Sequence, residues 1–152
     1  MALELLPLGR MDIHARESWL VEGGPRGHRS VTAFDEVVLH GGPIRARSLW
    51  ANGTYLASER VAEPNIRALF ETEEDEGGPA RLFLEYIARF EIDAEAAAAT
   101  GTPTPGENPV YLAGRIETGD ERYHWLNATQ LVGKGGFDVE RLVLSYEIHA
   151  LR

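Results

Sequence analysis

The chain of 152 residues contains no cysteine. This absence excludes disulfide bonds, thiolate nucleophiles and most structural zinc sites. No apolar run approaches the roughly 18 residues that a membrane-spanning helix needs. The N-terminus carries an early acid, Glu4, and no basic residues, so it lacks the pattern of a secretory signal. We therefore expect a cytoplasmic protein that does not associate with membranes.

Positive charge is scarce and scattered along the chain. The formal net charge is −9, and Lys134 is the single lysine. A surface that binds nucleic acid needs clustered Lys and Arg side chains, so we expect no nucleic acid partner. Much of the excess acid lies in segment 71–76, directly before Gly77-Gly78-Pro79. This charge run predicts a solvated hairpin loop.

Helical periodicity is nearly absent, and most segments alternate between apolar and polar residues with Gly and Pro at their ends. The length predicts one domain, residues 1–152. Antiparallel strands in one domain must hide their edges, which favours an all-β fold, a single closed calycin-like β-barrel of about 8–10 strands. The predicted strands are 3–13, 18–22, 30–39, 44–50, 54–61, 65–72, 81–92, 111–117, 122–131 and 139–151.

One segment departs from the strand pattern. Asp93 can cap a first helical turn, the alanines that follow are strong helix formers, and Gly101 ends the run. This predicts one short helix near residues 93–100. The Pro-rich segment 102–109 beyond it predicts an exposed connection, which we expect to act as a lid over the mouth of the barrel.

Two glycine-containing sequences predict turns. Asn52-Gly53 favours a type I′ hairpin, because both central residues of that turn need positive φ. Gly133-Lys134-Gly135 superficially suggests a phosphate-binding loop, but the required Ser or Thr and a following helix are missing. A turn is therefore predicted there as well.

The alternation leaves two orientations of the strands open. In the first, every charged face lies in water and the apolar faces fill the barrel, because charges are rarely buried unless paired. In the second, a mixed face points inward, where paired charges lie beside aromatic rings as in a small-molecule pocket. The residues that would share this inner face include Arg67, Glu85, Tyr111, Arg115, Glu117, Tyr123 and Trp125.

The last third of the chain carries a recognisable pattern. Glu117-Thr-Gly-Asp-Glu-Arg-Tyr123, followed by Trp125-Leu-Asn127 and Val132-Gly-Lys-Gly135, resembles the C-terminal signature of the family called domain of unknown function 3237. Thr54 stands where that family is expected to carry an acid. The resemblance implies a compact antiparallel barrel with a central cavity, and it favours the inward orientation of the mixed face. It implies no shared activity.

The mixed face suits acid–base chemistry. A carboxyl group in a poorly hydrated cavity has its pKa raised, and a neighbouring guanidinium lowers it again, which can poise a general acid or base. The predicted catalytic residues are Glu117, Glu85, Arg67 and Arg115. We expect a cofactor-independent isomerase, cyclase or lyase that acts on an aromatic or polyketide-like carbonyl compound. The predicted substrate-binding residues are Tyr111, Tyr123, Trp125, Asn127, Tyr86 and His40.

Alternatives to catalysis remain open. The same cavity would serve a non-catalytic binding or carrier protein for a hydrophobic small molecule, and the Arg–Glu pairs could simply set strand register. None of the five histidines stands at a tight metal-binding spacing, so we expect neither a metal nor another cofactor. Both faces of several strands carry large apolar residues, which predicts a possible homodimer.

Overall fold

The chain folds into a ring of antiparallel strands. The computed structural model describes residues 1–73 and 76–152, and these contain eight strands. Each strand pairs with the one before it, and the last pairs with the first, so the sheet closes. The predicted antiparallel barrel is confirmed. The strands are β1 (Leu5–Gly24), β2 (Gly27–His40), β3 (Ala46–Ala57), β4 (Val61–Thr72), β5 (Arg81–Glu91), β6 (Val110–Glu117), β7 (Gln130–Asp138) and β8 (Val143–Leu151).

Alternate residues of the strands fill the interior of the ring. In β5, the side chains of Leu82, Leu84 and Tyr86 are buried, while their neighbours point outward. Tyr86 packs edge-to-face on Tyr146 of β8, with 5.6 Å between ring centres. Each fully buried large side chain stabilises the fold by about 1.5–3 kcal/mol. The centre of the barrel is therefore packed with side chains.

A 3₁₀ segment, Glu121–Ala128, closes one end of the barrel. The strand predicted over 122–131 is wrong for residues 122–129, because β7 begins only at Gln130. The carboxylate of Asp120 accepts a hydrogen bond from the backbone N–H of Arg122 at 3.0 Å, which starts a helical turn instead of an extended chain. Leu126 is fully buried beneath the segment and holds it against the core.

The hairpin predicted at Asn52-Gly53 is also wrong, because β3 runs straight through these residues. Gly53 pairs with Thr32 on one side and Ile66 on the other. A Cβ atom at Gly53 would lie 2.6 Å from Cζ of Phe34. The glycine therefore makes room for an aromatic ring inside the barrel and does not mark a turn.

The predicted strands 3–13 and 18–22 form a single long strand, β1. Its register against β2 shifts between His14 and Glu17. The gap between the two predicted strands is therefore a β-bulge within one strand. The hydroxyls of Ser18 and Thr32 join the two strands beyond the bulge at 2.8 Å. Together with the continuous β3, this reduces ten predicted strands to the eight observed in the described residues.

The turn predicted at Gly133-Lys134-Gly135 is wrong, because these residues belong to β7. Gly135 pairs with Val110 in β6 and with Tyr146 in β8. A Cβ atom at Gly135 would overlap the carbonyl oxygen of Ser145. Close approach of the two backbones explains the glycine here.

The predicted short helix is confirmed as α1 (Ala94–Thr100). The Asp93 carboxylate accepts a hydrogen bond from the backbone N–H of Ala96 at 2.8 Å, and Gly101 ends the helix with φ of 70°. No helix in the described part of the chain is both long and apolar enough to cross a membrane. Glu74 and Asp75 of the predicted acidic loop lie outside the described residues.

Replacing Gly135 by Ala is expected to lower the free energy of unfolding by about 2 kcal/mol or more, because β7 and β8 must move apart. Gly136→Ala is the matched control, since nothing lies within 4 Å of its added Cβ. Urea denaturation measures both variants. Equal losses of stability would contradict the close approach at Gly135.

Candidate functional site

The four predicted catalytic residues lie together on the outer face of the barrel. Glu85 pairs in register with Arg67 on one side and with Arg115 on the other. Nη2 of Arg67 is 3.5 Å from Oε1 of Glu85, and Nη2 of Arg115 is 3.4 Å from Oε2. Nε of Arg115 is 3.6 Å from Oε1 of Glu117. We call these four residues the outer ladder.

The inward orientation expected for the outer ladder is wrong. Its side chains are between 30% and 64% exposed. Side chains alternate across a strand, so only one of the two sets can fill the interior, and apolar residues such as Leu84 and Ile116 occupy it. Burying the charges in their place would cost far more than an exposed ion pair returns. The ladder therefore lacks the desolvation on which the expected acid–base role depended.

The predicted substrate-binding residues do not form a single site. Tyr111 lies exposed on the outer face, and Trp125 lies partly exposed on the 3₁₀ segment. Tyr123, in the same segment, packs against the core. The Asn127 side chain holds the backbone of Thr118, accepting from its N–H at 2.8 Å and donating to its carbonyl oxygen at 2.9 Å. Asn127 thus anchors the 3₁₀ segment.

Tyr86 does point inward, as a cavity residue should, but it belongs to the packed core. Burial raises the pKa of Tyr86 well above its ordinary value. Among the described residues, the hydroxyls of Tyr86 and Tyr146 have no partner with acceptable hydrogen-bond geometry. Neither ring borders the cavity described below. The two tyrosines are therefore part of the packing of the barrel centre.

His40 belongs to a polar cluster at the seam where the barrel closes. Nε2 of His40 lies 2.7 Å from Oδ2 of Asp12. Oδ1 of Asp12 accepts hydrogen bonds from Oγ of Ser145 at 2.5 Å and from Nε of Arg10 at 2.9 Å. We call Arg10, Asp12, His40 and Ser145 the seam cluster. It ties β1 to both of its neighbours, β2 and β8.

The seam cluster shifts the ionisation of Asp12. Partial burial opposes the charged form, but hydrogen bonds from Ser145, His40 and Arg10 outweigh it and lower the pKa of Asp12 to about 2. The ionised carboxylate is therefore favoured by the folded state. Among the described residues, no three His, Asp or Glu side chains come together as candidate metal ligands.

A cavity of about 340 Å³ lies at the other end of the barrel from the 3₁₀ segment. That end holds the connection from β5 to β6 and the hairpin from β7 to β8. Its volume falls within the range of small-molecule pockets, roughly 300–1,000 Å³. The apolar wall includes Ile13, Phe34, Tyr55, Ile66, Phe90, Val110 and Leu144.

Residues 102–105, which we call the strap, form one side of the cavity. The Tyr55 hydroxyl donates a hydrogen bond to the carbonyl oxygen of Pro103 at 2.9 Å, which fixes the strap to β3. Burial raises the pKa of Tyr55, so this phenol stays protonated as a donor. The exposure predicted for the Pro-rich segment is wrong at Thr104 and Pro105, which are buried beside the cavity. The role of the segment as a lid remains a prediction.

The charged side chains that border the cavity come from the bulge in β1. They are Arg16 and Glu17, and both are more than half exposed. Nε of Arg16 is 3.7 Å from Oε1 of Glu17, and its Nη1 is 3.8 Å from Oδ1 of Asp35. These exposed pairs leave the cavity itself largely apolar.

Sequence reasoning missed most of the residues around this cavity. Alternation along β5 puts Phe90 on the same face as the buried Leu82, Leu84 and Tyr86. Tyr55 follows the turn wrongly predicted at Asn52-Gly53. The break between the predicted strands 3–13 and 18–22 did not show that a bulge lies opposite Phe34. The pattern shows which residues point inward but not where the packing leaves a gap.

The chain belongs to the family described as protein of unknown function (DUF3237), whose model matches residues 3–151. This confirms the resemblance found in the C-terminal pattern and extends it to nearly the whole chain. A search of curated proteins finds no match.

Solved structures share the architecture. A β-barrel-like protein from Acinetobacter baumannii is 21% identical with a TM-score of 0.79, over 100% of this chain and 98% of that one. A conserved protein of unknown function from Rhodopseudomonas palustris is 18% identical with a TM-score of 0.83, over 100% and 99%. An enzyme from Penicillium herquei is 13% identical with a TM-score of 0.62, over 98% and 93%. At these identities the likeness shows the fold alone.

Asp12→Asn is expected to lower the free energy of unfolding by about 1–2 kcal/mol at neutral pH. The pKa of Asp12 in the folded state is about 2, below its ordinary value of 3.8. The ionised Asp12 therefore stabilises the folded state above about pH 4, and this contribution is lost as the pH falls toward 2. The difference between the wild type and the variant should shrink over that interval.

Denaturant titrations between about pH 2 and pH 7 measure this difference. Asp35→Asn is the control, because Asp35 is well exposed and its ion pair with Arg16 is 3.8 Å long. A difference between wild type and Asp12→Asn that stays constant with pH would contradict the ionic role of the seam cluster.

Proposed function

We propose that this protein binds a small, mainly apolar molecule in the cavity at the barrel mouth. The observation that carries the proposal is a cavity of about 340 Å³ with aromatic and aliphatic walls. Burial of apolar surface contributes about 25 cal/mol per Å², so such a wall favours an apolar ligand over water. The strap, which the hydrogen bond from Tyr55 fixes to β3, forms the wall of the cavity next to the opening.

The geometry favours binding over the acid–base enzyme that the sequence suggested first. The outer ladder, which was to supply the acid and base, lies on the solvent side of the sheet. The charged residues at the cavity, Arg16 and Glu17, are exposed and paired with each other. The phenol of Tyr55 already donates to Pro103. A carrier or sensor of a hydrophobic small molecule needs none of these groups to react.

Catalysis in the same cavity is the second candidate. The enzyme from Penicillium herquei shares this architecture, which supports the idea that such a barrel can hold a reaction. Incubation of the protein with neutral aromatic carbonyl compounds, followed by chromatography, would reveal turnover as product in excess of the protein. Binding without any product would favour the carrier.

Filling the cavity should abolish binding. Ala15 borders the cavity, so Ala15→Phe places a ring in the space of the ligand. We expect at least a tenfold higher Kd for N-phenyl-1-naphthylamine, a neutral apolar probe whose fluorescence rises on binding. Ala113→Phe, the same change at an exposed position on β6, is the matched control and should leave the Kd unaltered.

Glu117→Gln should also leave the Kd unchanged, because Glu117 lies on the outer ladder. Equal probe binding by the wild type and Ala15→Phe would show that the cavity is not the binding site. Thermal unfolding of each variant checks that the barrel still forms.

The predicted homodimer also remains a proposal, supported by an apolar patch on the outer face. The register aligns Trp50, Leu69 and Phe83 across β3, β4 and β5. Trp50 and the adjacent Leu49 are about half exposed. The outer ladder runs beside this patch with two positive and two negative charges. A second copy can therefore approach here without the repulsion expected from a net charge of −9.

Trp50→Ser is expected to weaken self-association about tenfold or more, since exposed aromatic anchors dominate such contacts. Sedimentation velocity over a range of concentrations measures the change. Trp19→Ser is the matched control, because Trp19 is 53% exposed against 47% for Trp50 and lies on β1, outside the three strands of the patch. Wild-type behaviour of both variants, or a monomeric wild type, would remove this patch as a dimer surface.

A further inference from the structure

One side chain of the strap is buried at the cavity without a hydrogen-bond partner. Thr104 is 6% exposed and borders the cavity. Its Oγ1 has no partner within the described residues. An unpaired buried hydroxyl costs about 1–3 kcal/mol, so its presence beside this largely apolar cavity favours a ligand that supplies the partner.

The strap's own groups do not pair with this hydroxyl in the described residues. Its carbonyl oxygens accept hydrogen bonds from other groups. Pro103 accepts from the Tyr55 hydroxyl, Thr104 from the backbone N–H of Asp93, and Pro105 from that of Asn108, each at 2.9 Å. The two prolines flanking Thr104 have no N–H to offer. Thr104 therefore lies between strap groups that already have partners and the cavity that it borders.

We propose that Thr104 selects the ligand of this cavity by donating a hydrogen bond to an oxygen atom of it. The inference rests on the proposed binding function and names the class of molecule. The ligand is a neutral, mainly aromatic or aliphatic compound that carries a hydrogen-bond-accepting oxygen, as in a ketone, ester or ether. Thr104 is then the residue that distinguishes such a compound from a plain hydrocarbon.

The charges around the cavity support a neutral ligand. Arg16 is held by Glu17 at 3.7 Å and by Asp35 at 3.8 Å, so its guanidinium is already matched by carboxylates. A carboxylate-bearing ligand would have to leave water for an apolar wall without a dedicated cation, which is costly. A neutral ligand with an acceptor oxygen needs only one hydrogen-bond donor, and the Thr104 hydroxyl can be that donor.

A pair of isosteric probes tests the proposal. The ketone 2-acetylnaphthalene and the hydrocarbon 2-isopropenylnaphthalene differ only in that a methylene group replaces the carbonyl oxygen. Their Kd values are measured by displacement of N-phenyl-1-naphthylamine. The protein variants are the wild type, Thr104→Val, which removes the hydroxyl at constant shape, and Thr104→Ser, which keeps it. We expect Thr104→Val to reduce the preference for the ketone about tenfold. Thr104→Ser should retain the preference.

Two further measurements distinguish recognition of the ligand by Thr104 from a purely structural role of this residue. The carbonyl stretch of the bound ketone should lie at lower frequency in the wild type and Thr104→Ser than in Thr104→Val. The melting temperature of the ligand-free Thr104→Val variant should equal or exceed that of the wild type, because an unpaired hydroxyl has been removed. A marked fall would mean that the hydroxyl has a partner inside the protein and would overturn the proposal.

The outcomes also distinguish the two levels of the proposal. If both probes bind the wild type but Thr104→Val leaves their ratio unchanged, the role of Thr104 is refuted while the cavity remains a binding site. If neither probe displaces N-phenyl-1-naphthylamine from the wild type, or if that compound does not bind at all, the binding function itself fails.

Discussion

The pairing of β1 with β8 is the constraint on which the rest of the structure depends. The register runs from Leu5 opposite Leu151 to His14 opposite Val143, and it leaves no open edge between the first and last strands. Once the ring is closed, each strand has one face inside and one in solvent, and alternate residues are assigned to the two faces. The seam cluster adds a side-chain tie at this junction, because the Ser145 hydroxyl of β8 donates a hydrogen bond to the Asp12 carboxylate of β1.

Closure also determines where a ligand can be held. A barrel of eight strands has an interior about wide enough for its own side chains, and Tyr86 and Tyr146 help to fill it here. In this barrel the apolar cavity lies near an end, where the connection from β5 to β6 covers the opening. The 3₁₀ segment fills one end, and the strap leaves a gap at the other.

Much of the fold could be predicted from the sequence because its causes are local. The alternation of β5 and the cap at Asp93 are examples. The errors arose where a contact with a residue distant in the sequence determines the local structure. A side chain at position 53 would collide with the ring of Phe34, and one at position 135 with the backbone of β8. The candidate site was harder to predict. An aromatic residue such as Tyr111 among charges fits a pocket wall and a solvent face equally well, and only the closed ring shows that it lies outside.

The strap belongs to none of the strands, and this separates the architecture of the protein from the ligand preference that we propose for it. Residues of the loop can be exchanged during evolution without disturbing the ladder of backbone hydrogen bonds that defines the barrel. The proteins that share the ring at 13–21% identity keep its architecture while most of their residues differ. Under the binding function proposed here, a constant scaffold with a replaceable rim allows the preferred compound to change without a change of fold.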